Sequence, residues 1–149
     1  MMEVIIYAFG VCLSPGRPTQ QASAVLLLSS VDTIGRKASR QIAIPLAGSS
    51  KMQADLQSIR LGLMSLERSA RRTSKIVLKV SNKAVIEKLK TDEKSKDGQL
   101  VAETNKWIKM CPNLAIEVVD RTDPQVLIGL NLAKDCASYQ KPFDTKTTM

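Results

Sequence analysis

Side chains able to act as nucleophiles, general bases or zinc ligands are few in this sequence of 149 residues. It has three cysteines, Cys12, Cys111 and Cys136, and no histidine. The cysteines are far apart and form no Cys-x-x-Cys pair, which excludes the usual zinc sites. Without histidine, a histidine general base and Cys-His nucleophilic catalysis are excluded as well. We expect three reduced thiols in a cytoplasmic, reducing location.

Basic side chains are the more abundant candidates for a functional role. The 22 Lys and Arg residues outnumber the 14 Asp and Glu, which gives a net charge of +8 and a pI near 9.6. Such an excess favours a polyanionic partner, most commonly nucleic acid, although a solvated basic surface that only keeps the protein soluble is the alternative. With 3% aromatic residues, a base-stacking platform is not expected, so binding would depend on backbone phosphates and on salt.

Three basic clusters are candidates for these phosphate contacts. The first lies around residue 38, the second precedes an apolar run at residue 76, and the third lies in a charged stretch. They consist of Arg36, Lys37 and Arg40; of Arg68, Arg71, Arg72 and Lys75; and of Lys83, Lys88, Lys90, Lys94 and Lys96. The second cluster is the least diluted by acidic residues.

The elements that must position these side chains begin with three predicted strands. Residues 4–13, 22–30 and 40–46 are rich in aliphatic and β-branched side chains, as strands are. Turn residues at 14–18 and 32–36 separate them. Because the connections are short, we expect an antiparallel meander.

Helices and strands are predicted to alternate in the rest of the chain. A long helix is predicted after the Ser49-Ser50 cap, with an apolar stripe at spacings of three and four that continues to residue 70. The predicted elements that follow are a strand at 75–80, a helix at 83–90, a mobile charged loop at 91–98, a helix at 100–110, a strand at 114–119 and a helix capped by Asp123. This order predicts a mixed five-stranded sheet with helices on both faces.

The remaining sequence features concern the chain ends and the membrane. Residues 139–149 contain Pro142 and three threonines, and are predicted to be a flexible tail on a domain of residues 1–138. No stretch approaches the roughly 18 apolar residues that a membrane span requires. No basic segment precedes the first apolar run, so neither secretion nor membrane association is expected.

Five short segments follow one another in the order and spacing of a known family. They lie at residues 6–16, 24–27, 50–56, 77–85 and 130–134. SKMQADL at 50–56 is similar to a family helix that typically begins Asn-x-x-Glu-Leu, and LNLAK at 130–134 to a terminal helix reading Ala-Asp-x-Leu-Ala. Over residues 4–138 the chain resembles a ribonuclease H-like α/β domain.

That resemblance implies a particular chemistry, for which this sequence lacks most of the residues. The family hydrolyses phosphodiesters with two magnesium ions held by four carboxylates. The matching positions here are Phe9, Asp55, Ser81 and Leu130, so one carboxylate of four remains. The resemblance therefore implies a pseudo-nuclease with no catalytic residues, no metal and no cofactor.

Asp55 has a second interpretation that needs no relation to a metal. As the second or third residue of its helix, its carboxylate would be favoured by the helix dipole. Lys51, one turn earlier, is then its expected ion-pair partner.

Three functions follow from this sequence. The first, which we favour, is a non-catalytic module that binds RNA or DNA through the basic clusters. The second is a protein–protein adaptor or an oligomerising scaffold on the same fold. The third is a magnesium-dependent nuclease with a displaced site.

Overall fold

A computed structural model describes residues 2–14, 16, 20–91 and 97–148. In this part of the chain six strands form one mixed sheet. They are β1 (Glu3–Leu13), β2 (Gln21–Val31), β3 (Lys37–Pro45), β4 (Lys75–Val80), β5 (Leu114–Val118) and β6 (Phe143–Thr148). Their order across the sheet is β5-β4-β1-β2-β3-β6. The predicted meander is confirmed, since β1, β2 and β3 pair antiparallel, and β4 lies parallel to β1.

Helices cover the two faces of the sheet unequally. They are α1 (Lys51–Met64), α2 (Arg68–Thr73), α3 (Lys83–Thr91), α4 (Gly98–Lys109) and α5 (Pro124–Tyr139). Side chains alternate between the faces along β1. Val4 and Ile6 pack with α1, α3 and α4, whereas Phe9 and Val11 pack with α5.

The capping residues predicted from the sequence set the starts of two helices. The Ser50 hydroxyl accepts the backbone N–H of Gln53 at 3.1 Å, and the Gln53 side chain accepts the N–H of Ser50 at 2.9 Å. This reciprocal capping box satisfies two donors that the first turn of α1 leaves unpaired. Asp123 caps α5 by accepting the N–H of Gln125 at 2.9 Å, with Pro124 at the first helical position.

The predicted long helix is instead two helices. The chain leaves α1 at Met64 and resumes as the short helix α2 at Arg68. The Arg71 guanidinium donates to the carbonyl oxygens of Leu63 and Leu66, so it links α2 to the chain at the end of α1. The apolar spacing does not reveal the break, because Leu66 and Ala70 still face the core.

A sixth strand forms in the stretch predicted as a flexible tail, so the prediction of five strands is one short. β6 pairs antiparallel with β3, from Ala43↔Phe143 to Ala38↔Thr148. Gln140, left-handed at φ 51°, ends α5 and lets the chain turn back. β6 is an edge strand whose side chains at 143–146 are exposed, and its sequence shows no apolar alternation that would predict it.

Two further expectations are changed or left open. The apolar spacing of the helix after Asp123 predicts a buried face that includes Leu127, but Leu127 is 51% exposed in α5. Of the predicted charged loop, residues 92–96 lie outside the described residues, whereas Asp97 and Gly98 are buried at the start of α4. None of the described helices is both long enough and apolar enough to span a bilayer.

Candidate functional site

The four positions that the resemblance singles out lie at one end of the sheet. We call the end where β1 and β4 finish the carboxyl end, and the end where they start the amino end. Phe9 is near the finish of β1, Ser81 follows β4, and Asp55 and Leu130 lie on α1 and α5. Phe9 and Gly10 point to opposite faces of the sheet, so the Phe9 ring packs with α5 while Gly10 packs against α1.

Asp55 is almost fully buried, and its carboxylate is surrounded by donors. Oδ1 accepts the backbone N–H of Gly10 at 2.7 Å and the Lys51 ammonium at 2.7 Å. Oδ2 accepts the Lys51 ammonium at 2.9 Å and the Asn82 amide at 3.0 Å. A carboxylate has about four acceptor sites, so these four contacts leave it no lone pair for a further ligand.

The position of Asp55 in its helix differs from the expectation. It is the fifth residue of α1, with no acidic residue in the first turn, so the interpretation through the helix dipole was wrong. The expected ion pair with Lys51 is confirmed. The Asp55 side chain is 3% exposed and that of Lys51 is 42% exposed, so the ammonium lies at the rim of the site.

Gly10 allows α1 to approach β1 closely enough for this arrangement. A Cβ at Gly10 would lie 2.3 Å from the Cβ of Ala54 and 2.8 Å from the backbone N of Asp55. Real Cβ atoms do not approach so closely, so a side chain there would push the helix away. A glycine inside an apolar strand is a known sign of a close backbone approach, and it was the one signal in the sequence for this contact.

The Phe9 ring fills the space on the α5 side. It is 1% exposed and belongs to an apolar cluster with Val126, Ala133 and the half-buried Leu130. The ring lies against Gly129, where a Cβ would be 2.4 Å from Cζ of Phe9. An aromatic ring therefore fills this site because α5 has no side chain at the point of contact.

These residues do not fit a pair of magnesium ions. Magnesium requires carboxylate and water oxygens, but Phe9 and Leu130 offer none, and Ser81 offers only a hydroxyl. Asp55 already has its acceptor sites filled by protein donors. Among the described residues, no group of three or more His, Cys, Asp or Glu side chains could hold a metal ion.

The predicted basic residues do not form one surface around this site. Of the ten that the structure describes, six lie at the amino end, because the β2–β3 turn, α2 and the start of β4 are all there. They are Arg36, Lys37, Arg68, Arg71, Arg72 and Lys75. At about 3.3 Å per strand residue, Glu3 and Phe9 of β1 are roughly 20 Å apart. The basic amino end is therefore well separated from Asp55.

The other four described basic residues of the predicted clusters are elsewhere. Arg40 is in the middle of β3, at the level of Ile6. Lys83 and Lys88 are on α3 near the carboxyl end, and Lys88 lies 4.0 Å from Asp97. Lys90 is exposed on the same helix, whereas Lys94 and Lys96 lie outside the described residues.

Several of the basic side chains are already paired with carboxylates. Arg36 donates to Asp32 at 2.8 Å, and Lys75 lies 3.7 Å from Glu3. The backbone and side chain of Arg36 both donate to Asp32 and lower the pKa of that carboxyl.

Arg40 forms a two-pronged contact with Asp144 of β6, at 2.9 and 2.6 Å. These hydrogen bonds lower the pKa of Asp144 and raise that of Arg40. Arg40 thus joins two strands, which the sequence did not indicate.

Arg71 also has a structural role that its charge alone did not predict. Its guanidinium lies 4.9 Å from the centre of the Trp107 ring, a distance typical of a cation–π contact. With its bonds to the carbonyls of Leu63 and Leu66, it fixes the junction of α1, α2 and α4.

Comparison with solved structures identifies the architecture. The chain superposes on LC9-RNase H1, described as a type 1 RNase H with the type 2 active-site motif, with a TM-score of 0.74 and 16% identity over 95% of this chain and 77% of that one. The fold is that of ribonuclease H. The α/β ribonuclease H-like fold expected from the sequence is therefore confirmed, with six strands in place of five.

Two other solved structures superpose on this chain with similar TM-scores and similarly low sequence identity. LC11-RNase H1, isolated from compost by a metagenomic approach, gives a TM-score of 0.66 at 14% identity over 94% of this chain and 99% of that one. The Prototype Foamy Virus protease–reverse transcriptase gives 0.63 at 14% identity, over 93% of this chain and 21% of the viral one. No protein-family model matches the sequence, and no curated protein does. At such low identity the likeness extends to the ribonuclease H fold alone.

Proposed function

We propose that this chain is a non-catalytic ribonuclease H-like module that binds nucleic acid through basic residues on its surface. The observation that supports it most directly is the environment of Asp55. A lysine ammonium, an amide and a backbone N–H occupy the acceptor sites of the one carboxylate left at the four family positions. Lys51 thereby supplies the positive charge that a buried carboxylate needs.

The nucleic-acid half of the proposal is supported by the distribution of charge. The net charge is +8, and six of the ten described candidate residues gather at the amino end. A surface of this kind attracts phosphates without reading the bases. The ribonuclease H1 enzymes that share the fold make a nucleic-acid partner the natural choice among polyanions.

The test is equilibrium binding as a function of salt. We expect the full chain to bind labelled single-stranded DNA, duplex DNA and an RNA/DNA hybrid with little sequence preference. If six side chains each neutralise one phosphate of a duplex, the affinity falls about 10³-fold between 50 and 200 mM salt. Absence of binding at low salt, or binding insensitive to salt, would contradict the proposal.

A protein partner is the second candidate, because part of the sheet face beside α5 is uncovered. Ile5 and Leu27 line an open cleft of about 480 Å³ next to Ile128 of α5. Ile128 is 43% exposed, and an exposed apolar side chain that adjoins a cleft is typical of a protein interface. A stable oligomer in the absence of nucleic acid, dispersed by Ile128→Ser, would favour this scaffold function.

A further inference from the structure

A cleft at the amino end combines arginines with an aromatic ring. It has a volume of about 360 Å³ and is lined by Arg68, Arg71 and Arg72 of α2 and by Trp107 and Met110 at the end of α4. None of the lining residues is acidic. Glu67 precedes Arg68 at the N-cap of α2, but it does not line the cleft.

The three arginines differ in what already binds them. Arg71 is held by two carbonyl oxygens and by the ring of Trp107. Arg68 and Arg72 are exposed, and neither has an acidic partner within 4.0 Å among the residues that the structure describes. They are four residues apart, so they share one face of α2, where like charges repel by about 0.2–0.5 kcal/mol.

The stability of α2 explains only part of this arrangement. Arg71 and Arg72 are in its last turn, where a cation is favoured by the helix dipole. Arg68 is the first residue of the same helix, where the dipole disfavours a cation. Two more basic residues, Lys106 and Lys109, lie in the last turn of α4 beside Trp107. Positive charge is thus concentrated beyond what the fold requires.

We propose that this cleft binds backbone phosphates of a polynucleotide, with Arg68 and Arg72 as the phosphate ligands. Guanidinium groups match the geometry of phosphate oxygens. Arg71 contributes fixed positive charge, while Trp107 and Met110 provide an apolar wall for the adjoining sugar or base. The inference rests on the proposed nucleic-acid binding, and it places the contact about 20 Å from Asp55, at the opposite end of the sheet.

Charge removal at two places on the surface tests this assignment. In the test variant, Arg68→Gln is combined with Arg72→Gln. In the matched control, Lys134→Gln is combined with Lys141→Gln, since both lysines are exposed and lie on or just after α5. Each pair lowers the net charge by two, so an effect of net charge alone would be equal in both.

Binding of a duplex 20-mer is measured by fluorescence anisotropy over a range of salt concentrations. For the arginine variant we expect an affinity at least tenfold lower near 0.1 M salt and a log–log salt slope smaller by about 1.8, which is two phosphate contacts. The control should keep the slope of the unmodified protein. Equal losses in both variants, or no loss in the arginine variant, would overturn the assignment of the cleft.

Trp107 provides a second readout, since it is the one tryptophan of the chain. Its fluorescence should change on addition of the 20-mer to the unmodified protein and much less in the arginine variant. Adenosine monophosphate should give only weak binding, because it offers a single phosphate group. Tight, saturable binding of the mononucleotide would overturn the polynucleotide assignment. If the unmodified protein binds no nucleic acid at all, both the proposed function and the assignment of the cleft are wrong. If it binds equally well without Arg68 and Arg72, only the assignment of the cleft is wrong.

Discussion

The ring of Phe9 lies against the backbone of Gly129, with no space for a side chain between them. A Cβ at Gly129 would be 2.4 Å from Cζ and 3.1 Å from Cε2 of the ring. The aromatic residue in β1 and the glycine in α5 therefore form a matched pair. The contact fills one side of the site with apolar material, while the other side contains the carboxylate of Asp55 and its three donor groups, Gly10, Lys51 and Asn82.

Gly129→Ala should destabilise the protein by about 2–3 kcal/mol, because the added methyl group overpacks the site. Phe9→Leu shortens the side chain that would clash, so in that background the alanine should cost less than about 1 kcal/mol. Urea unfolding of the two single variants and the double variant measures this coupling. If the two losses of unfolding free energy are additive in the double variant, the ring of Phe9 and Gly129 do not interact as described.

Lys51→Met should cost about 2 kcal/mol of unfolding free energy. The substitution leaves the buried carboxylate of Asp55 without a cation, although the partial exposure of Lys51 lets water compensate in part. Adding Asp55→Asn removes the unpaired charge, so the double variant should recover part of the loss. A double variant as unstable as the sum of both single changes would argue against the ion pair.

Arg40→Gln should loosen β6 without changing nucleic-acid binding. Arg40 is engaged by Asp144, so it contributes little free charge to a ligand. The contact lowers the pKa of Asp144 from its ordinary value of 3.8. The Arg40–Asp144 contact therefore stabilises the folded chain fully at a pH above the ordinary carboxyl pKa. This stabilisation is lost as the pH falls through the lowered pKa of Asp144.

The difference in melting temperature between the unmodified protein and Arg40→Gln should accordingly shrink as the pH falls below about 4. Hydrogen exchange at neutral pH should show faster exchange in β6 of the variant. If the salt slope for duplex binding falls as much in Arg40→Gln as in the Arg68 and Arg72 double variant, Arg40 contacts the nucleic acid and this prediction is wrong.

Cys12 should be the first thiol to react with an alkylating reagent at neutral pH. Burial raises the pKa of Cys111, against a smaller opposing effect of Arg71, and burial also raises that of Cys136. A raised pKa lowers the thiolate fraction at neutral pH, and the thiolate is the reactive form. Mass spectrometry after brief labelling would identify the modified residue, and prompt labelling of Cys111 or Cys136 would contradict their burial.

The sequence predicted the fold because local patterns and topology agree. The strand at 75–80, the caps Ser50 and Asp123 and the meander all follow from spacing and turn residues. β6 could not be predicted, since an exposed edge strand has no apolar alternation, and its anchor Asp144 meets Arg40 only in the folded chain. The break after Met64 was invisible because the apolar spacing continues across it.

The candidate site was predicted less completely, because its defining contacts cross elements. The pairing of Lys51 with Asp55 follows from their spacing of one helical turn. The donors Gly10 and Asn82 are 45 and 27 residues away from Asp55, and nothing local links them. The amino-end concentration of arginines likewise depends on the direction of each strand in the sheet.

The non-catalytic function proposed for this chain is tested most directly by hydrolysis of an RNA/DNA hybrid in the presence of magnesium or manganese. The purified chain is compared with its Asp55→Asn variant at equal concentration. We expect that, with metal present, neither protein cleaves the hybrid faster than the background rate measured without metal, while the unmodified chain still binds it at low salt. Metal-dependent cleavage by the unmodified chain that is lost in Asp55→Asn would contradict the proposed non-catalytic function.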